Sequence, residues 1–525
     1  MIKDKLPLPM AFTALFIAVL PLGNLYAWEH FTLFNTAINH RIWITGWELV
    51  AITLLFFLTP FNFIDDIKKY PKLAWPILLL CLAGFISCFY SQNIYAALAR
   101  HSEIILHFVF IYLLSKQASN TAIKHILIAG LVVSFLYTLY HFSLLRLAVG
   151  DAEYNWVSNI PFFANIRHWG YLQVLILPLS YFFILSSNNR LKFLGYGLFF
   201  LTWVSILFSG GRGSLLAGLI TCFFIAPFIL KPTKKVYALS IVLFLTSIFT
   251  AYQIEGNNPS LSIKRLFFIP QIESDSEFNL NRTSSSRIGI YKDAIREVFD
   301  HSPVFGMGPD NYRYSLNHQY HVIPTQPHSL PIQFIYEYGL VGTCLILLFI
   351  INLLKHGLNL TNNIQKSIWL SLLCCLAASL VDGNFYHSYS IFNACLIIAI
   401  LVSKPLATER CSYKKNLKID NTLLPVCLLP SLIIWGMHNY TFSQYLSPLK
   451  SQNQINNIQT FPSITPTNLW IIQDKNPDLF KQALFHGGVW SDGQCGHYKL
   501  LRVYYSINAI DEIKKNCRSK YQRNY

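Results

Sequence analysis

The chain has 525 residues, of which 53% are hydrophobic, 15% aromatic and only 13% charged, and its mean hydropathy is +0.39. A soluble chain of this length would divide into several domains with polar surfaces, and so few charges exclude that. The formal net charge of +16 suggests nucleic acid at first sight, but the basic residues are dispersed between apolar stretches in the manner of a membrane topology signal; no nucleic-acid partner is expected.

Apolar stretches long enough to cross about 30 Å of hydrocarbon recur along the chain, each needing about 20 residues. In lipid a backbone must satisfy its own hydrogen bonds, so these stretches are helices. They fall at 7–27, 42–60, 73–90, 102–115, 122–146, 168–186, 193–208, 214–230, 236–252, 330–354, 367–381, 388–403 and 422–437. The first follows Lys3 and Lys5 and resembles a signal peptide, yet Leu25 stands where a small residue should precede cleavage after Ala27, so it reads as a retained span. The last is the weakest, being short and containing Pro425 and Pro430. The pattern predicts an all-α polytopic membrane protein of about 12–13 transmembrane helices.

With the N-terminus inside, the inner connections hold Lys68, Lys69, Lys72, Lys116, Lys124, Arg190, Lys192, Lys231, Lys234, Lys235, Lys355 and Lys366, among others. The short outer connections hold only Arg41, Arg100, Arg146, Arg167 and Arg212, an asymmetry that fixes the orientation. Four regions follow: spans over 1–252, a large outer loop over 253–329, further spans over 330–437 and an outer tail over 438–525. Of the 11 cysteines, Cys81, Cys88, Cys222, Cys344, Cys374, Cys375, Cys395 and Cys427 lie in spans and behave there as small apolar residues. Cys495 and Cys517 are the two in the outer tail, where an oxidising compartment would allow a disulfide. No cysteine pair has zinc-ligand spacing, so no metal is expected, and no nucleotide or dinucleotide fingerprint is present, so no cofactor is expected.

Buried charge in a membrane protein draws attention because it is expensive. Glu48, Glu103, Glu337 and Asp382 lie in or at the edges of spans; Glu48, within one, reads as a helix-packing hydrogen bond. The outer face is richer. In Phe208-Ser-Gly-Gly-Arg-Gly-Ser-Leu-Leu-Ala217 glycines flank Arg212, leaving a guanidinium able to grip phosphate bidentately; the alternative, a side chain reaching to the interface, stands equally on residue type. Arg287 opens a helix over 287–299 whose Ile288, Tyr291, Ile295 and Phe299 share a face, with Ser284, Ser285 or Ser286 as its cap; a helix start plus a guanidinium makes an anion site, and a solvated surface charge is the alternative. Pro303, Gly306 and Gly308 then break the helix. His328 sits in Gln326-Pro-His-Ser, just before the chain re-enters the membrane, and Arg167 and His168 precede Trp169 at another span start, where an interfacial anchor is the simplest reading.

The set Gly-Gly-Arg212-Gly-Ser, Arg287 leading a loop helix, Ser302-Pro-Val-Phe-Gly-Met-Gly308, and Gln326-Pro-His328 followed by Glu337-Tyr-Gly339 resembles the O-antigen ligase and O-antigen polymerase superfamily, over roughly Pro161 to Asn384. Many members carry Asn after the histidine; here it is Ser329. The resemblance implies a GT-C-type glycosyltransferase of the bacterial inner membrane, working at the periplasmic face without metal on a glycan carried by undecaprenyl diphosphate. It implies Arg212 and Arg287 as diphosphate ligands and His328 as the residue that orients or deprotonates the acceptor, with Arg167, His168 and Glu337 as further substrate contacts. The acceptor it leaves open: lipid A core, a pilin-like protein, or a growing glycan. A flippase for the same lipid-linked glycans is the competing class, and should show a cationic path through the spans and repeated halves, which the sequence does not display.

Overall fold

A computed structural model describes residues 7–30, 37–59, 63–149, 162–163, 165–255, 287–312 and 326–403. The expected span at 422–437, the tail with Cys495 and Cys517, the serines before Arg287 and most of the large loop lie outside the described residues. Within them all regular structure is helical. In chain order the helices are α1 (Leu8–His30), α2 (Ala37–Leu58), α3 (Phe63–Lys69), α4 (Pro71–Cys88), α5 (Ile94–Gln117), α6 (Thr121–Val149), α7 (Ile166–Ile184) and α8 (Asn189–Ser209). There follow α9 (Arg212–Leu219), which passes through a π-helical turn (Ile220–Ile225) into α10 (Ala226–Leu230), then α11 (Lys234–Glu255), α12 (Arg287–His301), α13 (Leu330–Leu358), α14 (Asn363–Ser379) and α15 (Ser388–Val402). Every expected span within the described residues coincides with a helix. Among the described residues seven stretches are individually long and apolar enough to cross a membrane, or up to eight if the α2–α3 pair is one broken span. The chain is an all-α polytopic membrane protein.

Two helices form the centre. Nearly every residue of α7 and α15 is buried, which suits helices that are apolar all round and shielded by neighbours. Helix α7 packs on α8 and α14, and α15 packs on α5 and α2. Helix α11 is the opposite case: only 17% of its apolar window is buried and Leu245 and Phe249 face outward, as a lipid-facing helix should. Both α7 and α15 begin at the same end of the bundle, the end that also carries the starts of α9 and α13.

Helix α13 is broken at Gly339, whose backbone (φ 62, ψ −164) is not helical. A break at membrane depth is tolerated only when protein satisfies the freed groups, and the 303–308 segment does so. Met307 and Gly308 donate their N–H groups to the carbonyls of Tyr336 (2.7 Å) and Glu337 (3.1 Å), and Leu340 and Val341 donate to those of Pro303 (2.9 Å) and Val304 (3.1 Å). The two backbones approach so closely that a Cβ on Gly306 would lie 2.4 Å from the Gly339 nitrogen, and one on Gly339 would lie 2.4 Å from the Val304 carbonyl. The two glycine motifs noted in the sequence are thus one structural joint.

The loop helix α12 docks on this joint through a face that takes in only part of the apolar set noted in the sequence, with Tyr291 packed against the buried cluster. Ile290, Ala294 and Val298 are buried against Tyr312 and Tyr336, whereas Phe299 is 54% exposed.

Candidate active site

Five helices start around one turn, residues 382–387, which connects α14 to α15. Helix α7 begins beneath Asn165, whose side chain caps it by accepting from the Arg167 N–H at 2.9 Å. Its first turn presents Arg167, His168 and, one turn on, Tyr171. Gly210, in the left-handed conformation (φ 63), ends α8, and Gly211 starts α9 at Arg212. This turn lies against the end of α14, because a Cβ on Gly213 would meet Val381 at 3.1 Å. Arg212 itself is exposed and is one residue from that contact. Arg287 is the first residue of α12, and His328 precedes Leu330, the first of α13. Helix starts carry positive partial charge and free N–H groups, so their convergence with arginines favours an anion.

Asp382 is the hub. Its Oδ1 accepts from the Tyr171 hydroxyl at 2.9 Å and from the Gly383 N–H at 2.9 Å. His328 Nδ1 lies 3.6 Å from the same oxygen and Arg287 Nη2 lies 3.8 Å from Oδ2, ion-pair distances just beyond a hydrogen bond. Burial alone would raise the Asp382 pKa, but His328, Arg287 and the Gly383 N–H together hold it well below the usual carboxylate range, so the group is an anion between two cation-forming neighbours.

His328 is held in a strained backbone conformation, φ 55, uncommon outside glycine and characteristic of over-determined functional positions. The Tyr291 hydroxyl donates to its carbonyl at 3.1 Å. The Nδ1 atom is buried while the side chain as a whole is 27% exposed, so the edge of the ring away from Asp382 is the accessible one. Arg287 Nε is also buried, without a partner among the described residues.

On the other side of the turn, the His387 ring packs 3.8 Å from that of His168 and accepts from Gln326 Nε2 at 3.3 Å. Burial, then the neighbouring His168, push the His387 pKa well below its ordinary value, so the ring is neutral, with its proton on Nδ1 when the Gln326 amide nitrogen donates. The Gln326 amide rests directly on Gly383, where a Cβ would approach to 2.0 Å.

The structure therefore brings together His328, Arg287 and His168, with Arg167 and the Arg212 turn at the margin. It gives Glu337 a different setting: buried at 3% exposure, accepting from Gln333 at 3.2 Å, in the Gly339 joint. Glu48 pairs with His107 at 2.9 Å, both buried, as a contact between α2 and α5. Tyr171 and His387 were not singled out from the sequence, and Asp382 and Gln326 were noted there, as a span-edge carboxylate and as part of the His328 motif, without a role in the site. The signal for two of them was present in Asp382-Gly-Asn-Phe-Tyr-His387, a polar run wedged between two spans. Among the described residues no group of three or more His, Cys, Asp or Glu is arranged to hold a metal ion.

A half-buried, carboxylate-tethered histidine with one accessible edge is suited to take a proton from a hydroxyl, and the adjoining guanidiniums are suited to phosphate. Comparison with curated proteins finds no match. Residues 197–347, which include Arg212, Arg287 and His328, match the family model described as O-antigen ligase, which supports the resemblance to the O-antigen ligase and polymerase superfamily over that part of the chain.

Proposed function

We propose that the chain is a periplasmic-face glycosyltransferase that moves a glycan from undecaprenyl diphosphate to an acceptor hydroxyl. The observation that carries this reading is the Arg287–Asp382–His328 cluster, an anion-binding guanidinium and an oriented base joined by one carboxylate. Arg287 and Arg212 hold the diphosphate. His328 takes the acceptor proton as the acceptor oxygen bonds to the anomeric carbon. The bond from that carbon to the diphosphate breaks, and the lipid diphosphate leaves with the electron pair. One direct displacement inverts the anomeric centre. Charge developing on the leaving oxygen is met by the guanidiniums and the helix starts, which is stabilisation where charge appears. A diphosphate leaves without a general acid, so a single base suffices.

Purified variants assayed with one lipid-linked donor and one acceptor test this. Lys at position 212 or 287 keeps the charge but loses the planar fork, and loss of one charge-assisted hydrogen bond, about 1.5–3 kcal/mol, lowers turnover about 10- to 150-fold. His328→Ala abolishes turnover and leaves donor binding nearly intact. Full activity in both Arg212→Ala and His328→Ala at normal membrane levels returns the flippase reading to the front. The acceptor is decided by glycan profiling of a deletion strain, with lipopolysaccharide and pilin mass measured in parallel.

A further inference from the structure

Arg100 stands nearly two turns into α5 and is 1% exposed, a full positive charge at a place where charge is costly. Its contacts explain its retention. Nη1 donates to Glu103 Oε2 at 2.9 Å, which neutralises it. Nη2 donates to the carbonyls of Tyr386 at 2.9 Å and Phe385 at 3.5 Å, and the guanidinium lies 5.2 Å from the Tyr386 ring centroid. The Tyr386 hydroxyl in turn donates to Asp310 Oδ1 at 2.8 Å. Asp310 is fully buried and has a left-handed backbone, φ 58.

These contacts fall on the middle of the turn whose ends are Asp382 and His387. A turn of this kind has no helical ladder of its own, so its carbonyls need external donors. Arg100 supplies them from a rigid helix, with a planar fork whose two arms reach Glu103 and the turn at once.

We propose that Arg100 is a positioning residue: by gripping the Phe385 and Tyr386 carbonyls it fixes the 382–387 turn, and with it Asp382 and His387, against His328. The inference rests on the active site proposed above. Arg100 touches no reacting atom; it acts through the turn. Displacing the turn by about 1 Å lowers the rate of the chemical step by up to about 100-fold while leaving the donor-binding arginines in place.

The test separates positioning from plain stability. Replacing Arg100 alone with an apolar residue strands Glu103 and threatens folding, whereas replacing both partners leaves neither of the pair's charges buried alone. The double variant Arg100→Met/Glu103→Met and the single variant Arg100→Lys are purified beside wild type and His328→Ala. Thermal midpoint, kcat and donor KM are measured for each. The expected result for Arg100→Lys, and for the double variant where it folds, is a kcat about 10- to 100-fold lower with donor KM within about threefold of wild type. Wild-type kcat in a double variant with an unchanged thermal midpoint overturns the inference; if the double variant does not accumulate, wild-type kcat in Arg100→Lys does so. A merely structural role predicts lower abundance or midpoint with unchanged kcat per folded molecule. Turnover retained in His328→Ala overturns the site itself, a result distinct from an inactive His328→Ala beside a fully active Arg100→Lys.

Discussion

Asp382 collects a tyrosine, a backbone N–H, a histidine and an arginine, and its replacement by asparagine isolates the charge from the shape. The amide oxygen would still accept from Tyr171, but the anion between Arg287 and His328 would be gone. Charge-assisted contacts are worth about 1.5–3 kcal/mol, so Asp382→Asn should lower turnover about 10- to 150-fold, read as kcat of the purified variant; undiminished kcat would remove Asp382 from the mechanism. His387 offers a pH test. Its folded pKa is depressed, while the unfolded value is about 6.5, so the unfolded state binds the extra proton between the two. Stability therefore rises with pH through that window and is lost as pH falls below about 6.5. Asp382, depressed as a carboxylate, keeps its contribution until pH falls below about 3.9 and so stays out of this window. The groups around His387 are His168, Asp382, His328 and Arg100. Thermal midpoints of His387→Gln measured from pH 5 to 8 should show a flatter acid slope than wild type, and an identical slope would refute the assignment. Arg212, Arg287 and His328 were legible in the sequence because each sits in a local motif. Asp382 stood out as a carboxylate at a span edge, but its role as the hub did not, since Tyr171 lies 211 positions from it in the chain and no local pattern encodes such a contact.

At the scale of elements, the joint between α13 and the 303–308 segment couples the membrane bundle to the loop that carries Arg287. Gly339→Ala adds a Cβ both in a positive-φ, extended-ψ conformation (φ 62, ψ −164) that is essentially confined to glycine, at about 1–3 kcal/mol, and against the Val304 carbonyl at 2.4 Å. The expected outcome is a marked fall in thermal midpoint and membrane abundance. Gly197→Ala is the matched control: it lies within α8 with nothing within 4 Å of an added Cβ, and should be neutral or stabilising by up to about 1 kcal/mol. A Gly339→Ala protein as stable as Gly197→Ala would mean that α13 runs straight. Hydropathy located the helices because burial in lipid and burial in protein select the same residues. It missed the break, since Glu337-Tyr-Gly339 is followed by an unbroken apolar run and its partner lies in another segment. The apolar pattern of α12 did not include Ile290, Ala294 and Val298, which the structure buries.

Across the whole molecule, chain direction and charge agree. The ends of the bundle alternate, so the connections rich in lysine, at 68–72, 116–124, 190–192, 231–235 and 355–366, lie opposite the end where Arg212, Arg287 and His328 open. A lipid-linked donor presents its diphosphate at the membrane surface, and a site at one end of α7 and α15, the two central helices, receives it from that surface alone. The sidedness of the protein therefore decides which pool of donor it can use. Positively charged connections are retained in the cytoplasm, so the proposed orientation has the lysine-rich end in the cytoplasm and the arginine–histidine site in the periplasm. Reporter fusions test this directly: a fusion after Lys235 should be active only as a cytoplasmic reporter, and one at Glu277 only as a periplasmic reporter. The reverse pattern would place His328 in the cytoplasm, where the donor's diphosphate is exposed before it is flipped, and would overturn the periplasmic transfer reaction while leaving the geometry of the site unchanged. A cytoplasmic result at Lys475 with the other two as expected would reassign only the segment after α15, because the direction of every helix that builds the site is set before it.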